Sequence, residues 1–320
     1  MDMRILLTGA TGFVGPRLLR SLRDRFAGAS ILSWTRHAVI ANSPGERQVD
    51  IRSAIEVDET VRDFHPTHVV HLAAQSHVPT SFRDPAGTWE VNVMGTLYLL
   101  EAVRKHVPDA TVFYVGSSEV YGRSFQLGEP LAETALLQPQ NPYAASKAAA
   151  DLMCGQYAGQ GLRTIRLRPF NHIGAGQSED FVASAFAAQI ARIEAGLQEP
   201  VLRVGNLEAQ RDFLDVEDVV RAYVAAVDRA PNLEPGLVLN LCSGSPRRIR
   251  DLLDMLLAET QAFIRVEAEP ARMRPSDTPY AVGSAEAAKA HLGWEPRIPL
   301  QETVRALLED WRQVIRSSVK

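Results

Sequence analysis

Short apolar segments alternate with longer amphipathic ones along the chain. The short segments are rich in aliphatic and β-branched residues at successive positions, which is typical of strands buried on both faces of a parallel sheet. The pattern predicts an α/β fold in which helices cover the sheet on both sides. The predicted strands are Arg4 to Leu7, Ser30 to Trp34, His68 to Leu72, Thr111 to Val115, Thr164 to Leu167 and Leu237 to Leu241.

The amphipathic stretches Gly15 to Arg25, Ala86 to His106 and Pro142 to Gln160 are predicted helices between these strands. We therefore predict a doubly wound, Rossmann-type sheet over residues 1-172, to which the chain returns near residues 210-245. Residues 173-320 are expected to form a smaller, mostly helical lobe that binds substrate. Its predicted helices are Phe181 to Gly196, Val216 to Ala230, Arg248 to Gln261 and Leu300 to Ile315.

Composition narrows the range of partners. A net charge of -4 in 320 residues, without long runs of one sign, argues against nucleic acid or an anionic membrane as the main partner. Cys154 and Cys242 lack the spacing of metal ligands and are predicted buried thiols, so no metal is expected and a reducing cytoplasm fits. The apolar run near the start is too short for a signal peptide, and no 18-residue apolar run follows.

A glycine-rich turn follows the first predicted strand, with the sequence Thr8-Gly9-Ala-Thr-Gly12-Phe-Val-Gly15. Gly9 permits a tight turn, Gly12 lets backbone N–H groups approach a pyrophosphate, and Gly15 lets the next helix pack closely on the strand. This strand-turn-helix arrangement predicts a dinucleotide site. The contacts of this turn are expected from Gly9, Thr11, Gly12, Phe13, Val14 and Gly15.

The second predicted strand is followed by a cation, Arg36, where an Asp or Glu would select NAD through the ribose 2′-hydroxyl. This favours NADP(H), with Arg36 contacting the 2′-phosphate. If Arg36 is only solvated, NAD(H) would serve as well. Further cofactor contacts are expected from residues at the ends of predicted strands, on the basis of their position alone. These residues are Asp50, Ile51, Leu72, Ala73 and Ala74.

A tyrosine lies four residues ahead of a lysine in Asn141-Pro-Tyr143-Ala-Ala-Ser-Lys147. A phenol titrates near pH 10, roughly, so it needs stabilisation of its phenolate to transfer protons at neutral pH. On one helix face, the Lys147 ammonium could provide it and also bind the ribose of a nicotinamide. The pair predicts proton transfer beside a nicotinamide cofactor, and thus a redox enzyme.

Hydroxyl groups follow the strand Thr111 to Val115 in Gly116-Ser117-Ser118-Glu119-Val-Tyr121-Gly. Ligands of doubly wound sheets bind at the carboxyl ends of the strands. We expect Ser117 to hydrogen-bond a substrate carbonyl while Tyr143 transfers the proton. A Ser at this place could instead cap a helix or a turn.

Three motifs together resemble the extended short-chain dehydrogenases/reductases that act on nucleotide sugars. They are Thr-Gly-x-x-Gly-x-x-Gly, Ser-Ser-x-Val-Tyr-Gly and Tyr-x-x-x-Lys. The resemblance covers nearly the whole chain. Four blocks are similar to the GDP-6-deoxy-D-mannose reductases of that family: His71-Leu-Ala-Ala-Gln75-Ser-His-Val78, Arg168-Pro-Phe-Asn-His-Ile-Gly174, Val204-Gly-Asn-Leu-Glu-Ala-Gln-Arg-Asp-Phe213 and Ala271-Arg-Met-Arg-Pro-Ser-Asp277.

The resemblance implies reduction of GDP-4-keto-6-deoxy-D-mannose at C4 by hydride from NAD(P)H, giving GDP-D-rhamnose. It also implies a homodimer, in which Ala86 to His106 and Pro142 to Gln160 pair across a two-fold axis as a four-helix bundle. Arg211 and Arg274 would neutralise the diphosphate, and Asp277 would accept from ribose hydroxyls. The full set of implied substrate contacts is Ser76, His77, Ser118, Glu119, Asn171, Arg211, Arg274 and Asp277.

Two other functions stay open. The related 4,6-dehydratases have a carboxylate at the position of Glu119, so a nucleotide-sugar 4,6-dehydratase or 4-epimerase of the same fold is an alternative. A non-catalytic protein that senses NADP is another, although it would need the glycines and not Ser117, Tyr143 and Lys147 together.

Overall fold

The computed structural model describes residues 2–36, 45–272 and 278–318. The strands are β1 (Arg4–Thr8), β2 (Ser30–Thr35), β3 (Glu46–Gln48), β4 (His68–His71), β5 (Thr111–Val115), β6 (Arg163–Pro169), β7 (Asn171–Ile173), β8 (Val201–Val204), β9 (Gln210–Asp215), β10 (Val238–Leu241), β11 (Pro246–Arg248), β12 (Arg265–Ala268) and β13 (Tyr280–Ala281). The helices are α1 (Gly15–Arg25), α2 (Ala54–Phe64), α3 (Val78–Arg83), α4 (Pro85–Trp89), α5 (Gly95–His106), α6 (Pro142–Gly159), α7 (Val182–Glu194), α8 (Val216–Asp228), α9 (Ile249–Leu257), α10 (Glu286–Leu292) and α11 (Leu300–Ser318).

Within the described ranges, seven parallel strands form the large sheet in the order β10-β6-β5-β4-β1-β2-β3. Side chains alternate between its faces, so Ile5 and Leu7 of β1 join the core under α1 and α8, whereas Leu6 joins the core under α2, α5 and α6. All three are fully buried. The predicted doubly wound α/β fold is therefore confirmed.

The chain returns to this sheet after the lobe has begun. Strand β10 pairs in parallel with β6, and α8 packs beside α1. Trp294, which follows α10, is buried in the same core. Strand β9, by contrast, lies in a small sheet with β7, β11 and β13.

The lobe contains more strands than its sequence pattern indicated. One addition is the small sheet around β9. Another is the parallel pair of β8 and β12, and β8 contributes residues to a hydrophobic core between α7, α9 and α11. The unpredicted α2 and β3 add to the large-sheet region. Strand β3 has the sequence Glu-Arg-Gln and lies at the sheet edge, so it lacks the apolar residues by which buried strands are recognised.

The predicted helix Ala86 to His106 is a run of helical segments. Helix α4 continues into a π-helical turn, Glu90–Met94, and then into α5. The predicted burial of free Cys154 and Cys242 is confirmed. In the described part of the chain, no helix is long and apolar enough to cross a membrane, and no cluster of three His, Cys, Asp or Glu side chains is arranged for a metal ion.

Candidate active site

The glycine-rich turn is held by close backbone approaches. Gly9 has φ of +71°, and a Cβ there would lie 2.8 Å from the backbone nitrogen of Ala73. A Cβ at Gly15 would lie 2.4 Å from the Ala10 carbonyl oxygen. Gly12 differs, because the Gly9 carbonyl oxygen, at 3.4 Å, is the only described atom close to its Cβ position. The turn therefore needs glycine for its own packing at Gly9 and Gly15, and leaves the side of Gly12 open for a ligand.

Helix α1 begins at this turn with its amide groups directed at the same space. No described side chain caps its N-terminus at Val14, and its first turn contains no acidic residue. Uncapped N–H groups at a helix N-terminus bind phosphate well. Thr11 lies at the edge of an adjoining cleft of about 560 Å³, which Thr35 of β2, Arg20 and Arg23 also line. These features fit a dinucleotide with its pyrophosphate on the turn.

Phe13 connects the turn to the lobe. Its ring stacks on His172 of β7, with centroids 6.1 Å apart and planes at 12°. The Arg17 guanidinium lies 5.1 Å from the Phe13 centroid, and its Nη2 donates to the Ala175 carbonyl at 2.6 Å. Arg17 also pairs with Glu217 of α8 at 3.0 Å. The cofactor turn and the first strand of the lobe are thus packed as one unit.

Arg36 and Asp50 both lie near the edge of the large sheet. The pKa of Asp50 is lowered, chiefly by Arg52, whose Nη2 donates to Asp50 at 2.7 Å. Arg36 follows β2 and is exposed, and its charge contributes to the same lowering of the pKa. Ile51 is buried, and its Cγ1 would lie 2.7 Å from a Cβ placed on Gly95. At this edge Asp50 is thus paired with Arg52 and Arg36 is exposed, while Ile51 packs on α5.

The end of β4 lies against the glycine-rich turn. The backbone nitrogen of Ala73 donates to Thr8 Oγ1 at 3.1 Å, and Thr8 Oγ1 lies 2.7 Å from Nδ1 of the buried His71. Leu72, Ala73 and Ala74 are partly exposed. The structure therefore brings these predicted cofactor positions next to Gly9.

Ser117 caps the segment that follows β5 and also contacts Tyr143. Its Oγ accepts from the Glu119 backbone nitrogen at 3.2 Å and so caps the 3-10 segment Ser118–Leu127. It also contacts the Tyr143 phenol and lowers the pKa of that group. Ser117, Ser118 and Tyr143 are all buried. A hydroxyl pair is therefore present at the carboxyl end of β5.

Tyr143 lies in the first turn of α6, which Asn141 caps by accepting from the Ala144 backbone nitrogen at 2.8 Å. Burial raises the pKa of Tyr143 to about 12, an effect opposed by Ser117 and supported by the charge of Glu119. The phenol is consequently protonated throughout the neutral range. Glu119 itself is exposed, and its Oε2 accepts from Asn141 Nδ2 at 3.3 Å.

Lys147 is buried one turn further along α6. Its Nζ donates to the Val115 carbonyl at 2.6 Å and lies 4.7 Å from the centroid of the Tyr114 ring. Burial lowers the pKa of Lys147 to about 8. Besides burial, the residues that change the pKa of the Tyr143 phenol are Ser117 and Glu119. That Lys147 lowers the pKa of Tyr143 therefore stays a prediction.

The chain matches the family described as GDP-mannose 4,6 dehydratase over residues 6–307. It belongs to the GDP-mannose dehydratase family. This family is part of the extended short-chain dehydrogenases/reductases, and its members are NAD(P)-dependent enzymes that modify nucleotide sugars. The resemblance seen in the sequence is thereby confirmed.

Individual relatives span the whole length of this GDP-mannose dehydratase family member. It is 37% identical over 317 residues to the GDP-6-deoxy-D-mannose reductase of Pseudomonas aeruginosa, with 99% of each chain covered. The structure of RMD from Pseudomonas aeruginosa complexed with NADPH is similar with a TM-score of 0.83 and 35% identity, covering 98% of this chain and 100% of that one. The UDP-glucose 4-epimerase of Thermus thermophilus in complex with NAD is similar with a TM-score of 0.84 and 30% identity, covering 97% and 99%.

The predicted substrate contacts are spread over several elements of this family member. Ser76 is exposed just before α3, and His77 Nδ1 lies 2.9 Å from Thr80 Oγ1. Asn171 begins β7 and pairs with Phe213 of β9. Arg211, also on β9, is half-buried, and its Nη1 donates to the Thr278 carbonyl at 2.6 Å. Arg274 and Asp277 lie outside the described residues.

Sequence reasoning did not single out Asn92, which the π-helical turn places beside the site. Its Nδ2 donates to Ser146 Oγ of α6 at 2.9 Å, and its Oδ1 accepts from the Gln75 backbone nitrogen at 2.8 Å. Asn92 thus joins the segment after β4 to α6, the helix that carries Tyr143 and Lys147. No residue pattern marks a π-helical turn, so this position could not have been found by periodicity.

A buried ion-pair network joins α6 to β6. Asp151 is fully buried and accepts from Arg168 Nε and Nη2 at 2.9 and 2.8 Å, and from Arg166 Nη1 at 3.2 Å. Arg168 Nη1 also donates to Tyr121 Oη at 2.9 Å. Asp151 follows Lys147 by four residues, so the network reaches from α6 to the segment Ser118–Leu127 that Ser117 caps. Arg168 was noted only as part of a motif, because its partner lies 17 residues away in the sequence.

Proposed function

We propose that this enzyme reduces the C4 ketone of GDP-4-keto-6-deoxy-D-mannose with hydride from NAD(P)H, giving GDP-D-rhamnose. The observation that carries the proposal is the full-length similarity to the Pseudomonas aeruginosa reductase. A match confined to the cofactor-binding sheet would support only a nicotinamide site, whereas this one also includes the lobe.

The reduced nicotinamide, when bound, supplies the hydride that is added to C4. Ser117 and Tyr143 bind the carbonyl oxygen, and Tyr143 donates its proton to that oxygen as the C–O double bond becomes a single bond. A phenol with a pKa of about 12 is protonated before the reaction and suits this acid role. The ammonium of Lys147 stabilises the phenolate that remains until a proton from solvent restores it.

Arg36 supports a preference for NADPH over NADH. It lies exposed after β2, where a guanidinium can bind a 2′-phosphate through charge-assisted hydrogen bonds. The carboxylate of Asp50, at the same edge of the sheet, is paired with Arg52. The site therefore has a cation available for the phosphate at the place where an acid would select NADH.

The test is oxidation of NADPH, followed at 340 nm, with GDP-4-keto-6-deoxy-D-mannose prepared enzymatically from GDP-mannose. NMR of the product is expected to show GDP-D-rhamnose. The C4 epimer, GDP-6-deoxy-D-talose, would correct the stereochemistry, and binding of both ligands without turnover would reject a reductase.

A second candidate is a 4,6-dehydratase, and Glu119 is the observation that favours it. Its exposed carboxylate is held by Asn141 at the start of α6 and is close enough to Tyr143 to raise the pKa of the phenol. A base at this place could remove the proton next to a ketone during elimination. Incubation with GDP-mannose and no added reductant would yield the 4-keto-6-deoxy sugar if the dehydratase function is correct.

We also propose that the enzyme is a homodimer through α5, α6 and the helical segments before α5. Trp89, Met94 and Leu152 on these segments expose 42%, 38% and 60% of their surface. Apolar groups at such exposure on neighbouring helices are typical of an interface between helices.

A further inference from the structure

Two arginines lie directly opposite each other in the small sheet of the lobe. Strand β11 runs antiparallel to β9, and the register pairs Arg247 with Arg211. Opposed residues of an antiparallel pair project from the same face, with Cβ atoms roughly 4.5–5.5 Å apart. An anion that lies between two guanidiniums in this position can accept hydrogen bonds from both of them.

The same face of the sheet carries Asn171. Strand β7 pairs with β9 so that Asn171 is in register with Phe213, two residues beyond Arg211. Residues two apart on a strand share a face. Arg247 therefore shares its face with the predicted substrate contacts Asn171 and Arg211.

Two described carboxylates close to β11 form their hydrogen bonds with groups other than Arg247. Asp212 projects from the opposite face, where it is buried and accepts from the backbone nitrogens of Ser243 and Gly244 at 2.6 and 2.9 Å. Arg248, also on that face, pairs with Asp251 at 2.9 Å. Among the described residues of this stretch, no ion pair involves Arg247, which is exposed.

We propose that Arg247 binds the diphosphate of the nucleotide sugar together with Arg211. This inference rests on the proposed nucleotide-sugar substrate and adds a residue to its binding site. A diphosphate carries about two negative charges and enough oxygen atoms for two guanidiniums. Arg211 is held by the Thr278 carbonyl, so Arg247 would be the more adaptable of the two when the anion binds.

The test compares Arg247→Gln with the matched control Arg248→Gln, using calorimetric titration of the folded protein with GDP. Arg247→Gln is expected to weaken GDP binding about tenfold, the loss of one hydrogen-bonded charge pair, and Arg247→Lys should restore part of it. Arg248→Gln should bind like wild type because that side chain is on the other face. Thermal melting of each variant excludes a folding defect.

GDP binding by Arg247→Gln within twofold of wild type would overturn the inference while leaving the proposed reductase function intact. Failure of the reductase function alone would give a different pattern of results. If wild type binds GDP, Arg247→Gln weakens it, and no keto sugar is reduced, the binding role stands and the reductase function fails. A wild-type protein that does not bind GDP would overturn both.

Discussion

Removing the negative charge of Asp151 tests whether the buried ion-pair network between α6 and β6 stabilises this fold. In Asp151→Asn, the Arg168 guanidinium loses two short contacts to a carboxylate and Arg166 loses one. The side chain of Asp151 is 0% exposed and that of Arg168 is 4% exposed, so water cannot replace the lost partner. The variant leaves cationic charge buried without its counter-charge.

Breaking a buried ion pair in this way costs about 3–5 kcal/mol. We expect a value near the lower limit, about 3 kcal/mol, because Arg168 keeps its hydrogen bonds to Tyr121 Oη and the Glu133 carbonyl. An unfolding entropy of about 2.1 cal/mol/K per residue gives roughly 0.7 kcal/mol/K for 320 residues. The melting temperature should accordingly fall by about 4–5 °C.

The assay is urea unfolding followed by circular dichroism, with thermal melting as a second measure. Asp63→Asn is the matched control, because Asp63 also pairs with two arginines, Arg62 at 2.9 Å and Arg47 at 3.5 Å, but on the surface. Exposed ion pairs contribute roughly 0–1 kcal/mol, so this control should unfold close to wild type. An Asp151→Asn variant whose free energy of unfolding differs from wild type by less than about 1 kcal/mol would refute the reasoning.

Further predictions concern the reaction and the assembly. Tyr143→Phe should lower kcat by about 10²–10⁴-fold while the NADPH dissociation constant stays unchanged, since only the proton donor is lost; a rate near wild type would reject Tyr143 as the acid. Arg36→Gln should raise KM for NADPH about tenfold and leave KM for NADH unchanged, and an equal effect on both would reject a 2′-phosphate contact. Burial lowers the pKa of Lys147 to about 8, so the ammonium is present below that pH and lost above it, and kcat/KM for reduction should fall on the alkaline side; a profile that stays flat well above that pKa would contradict this role. Leu152→Glu should convert the proposed dimer to monomer in light scattering, whereas a dimer that survives would place the interface elsewhere.

Six of the seven strands of the large sheet were predictable because they are rich in apolar residues, and the predicted helices have one apolar stripe. All six predicted strands are present: Thr111–Val115 has the predicted bounds, and the other five have ends shifted by one or two residues. The short strands of the lobe were not predicted, since β11 reads Pro-Arg-Arg and shows no alternation of apolar and polar residues. Such strands depend on their partners in the sheet, which a local pattern does not contain.

The candidate site was predictable where chemistry is encoded within a few residues. Gly9, Gly12 and Gly15 lie in one turn, and Tyr143 and Lys147 lie on one helix. Contacts between distant segments were not accessible in this way. The stacking of Phe13 on His172 and the register of Arg247 with Arg211 join segments far apart in the chain, and only the folded arrangement brings them together.

In the π-helical turn Glu90–Met94 the hydrogen bonds reach back five residues, so the turn holds one residue more than an α-helical turn. Each residue of a regular α-helix advances the side-chain direction by about 100°. A deletion between Gly95 and Leu99 would therefore change the direction of the fully buried Leu99 relative to the partly exposed Trp89. A deletion within the π-helical turn can instead be absorbed by a return to α-helical hydrogen bonding, at the cost of the contact between Asn92 and Ser146. This turn is therefore the place where the helix should tolerate a change of one residue in its length, whereas α5 should not.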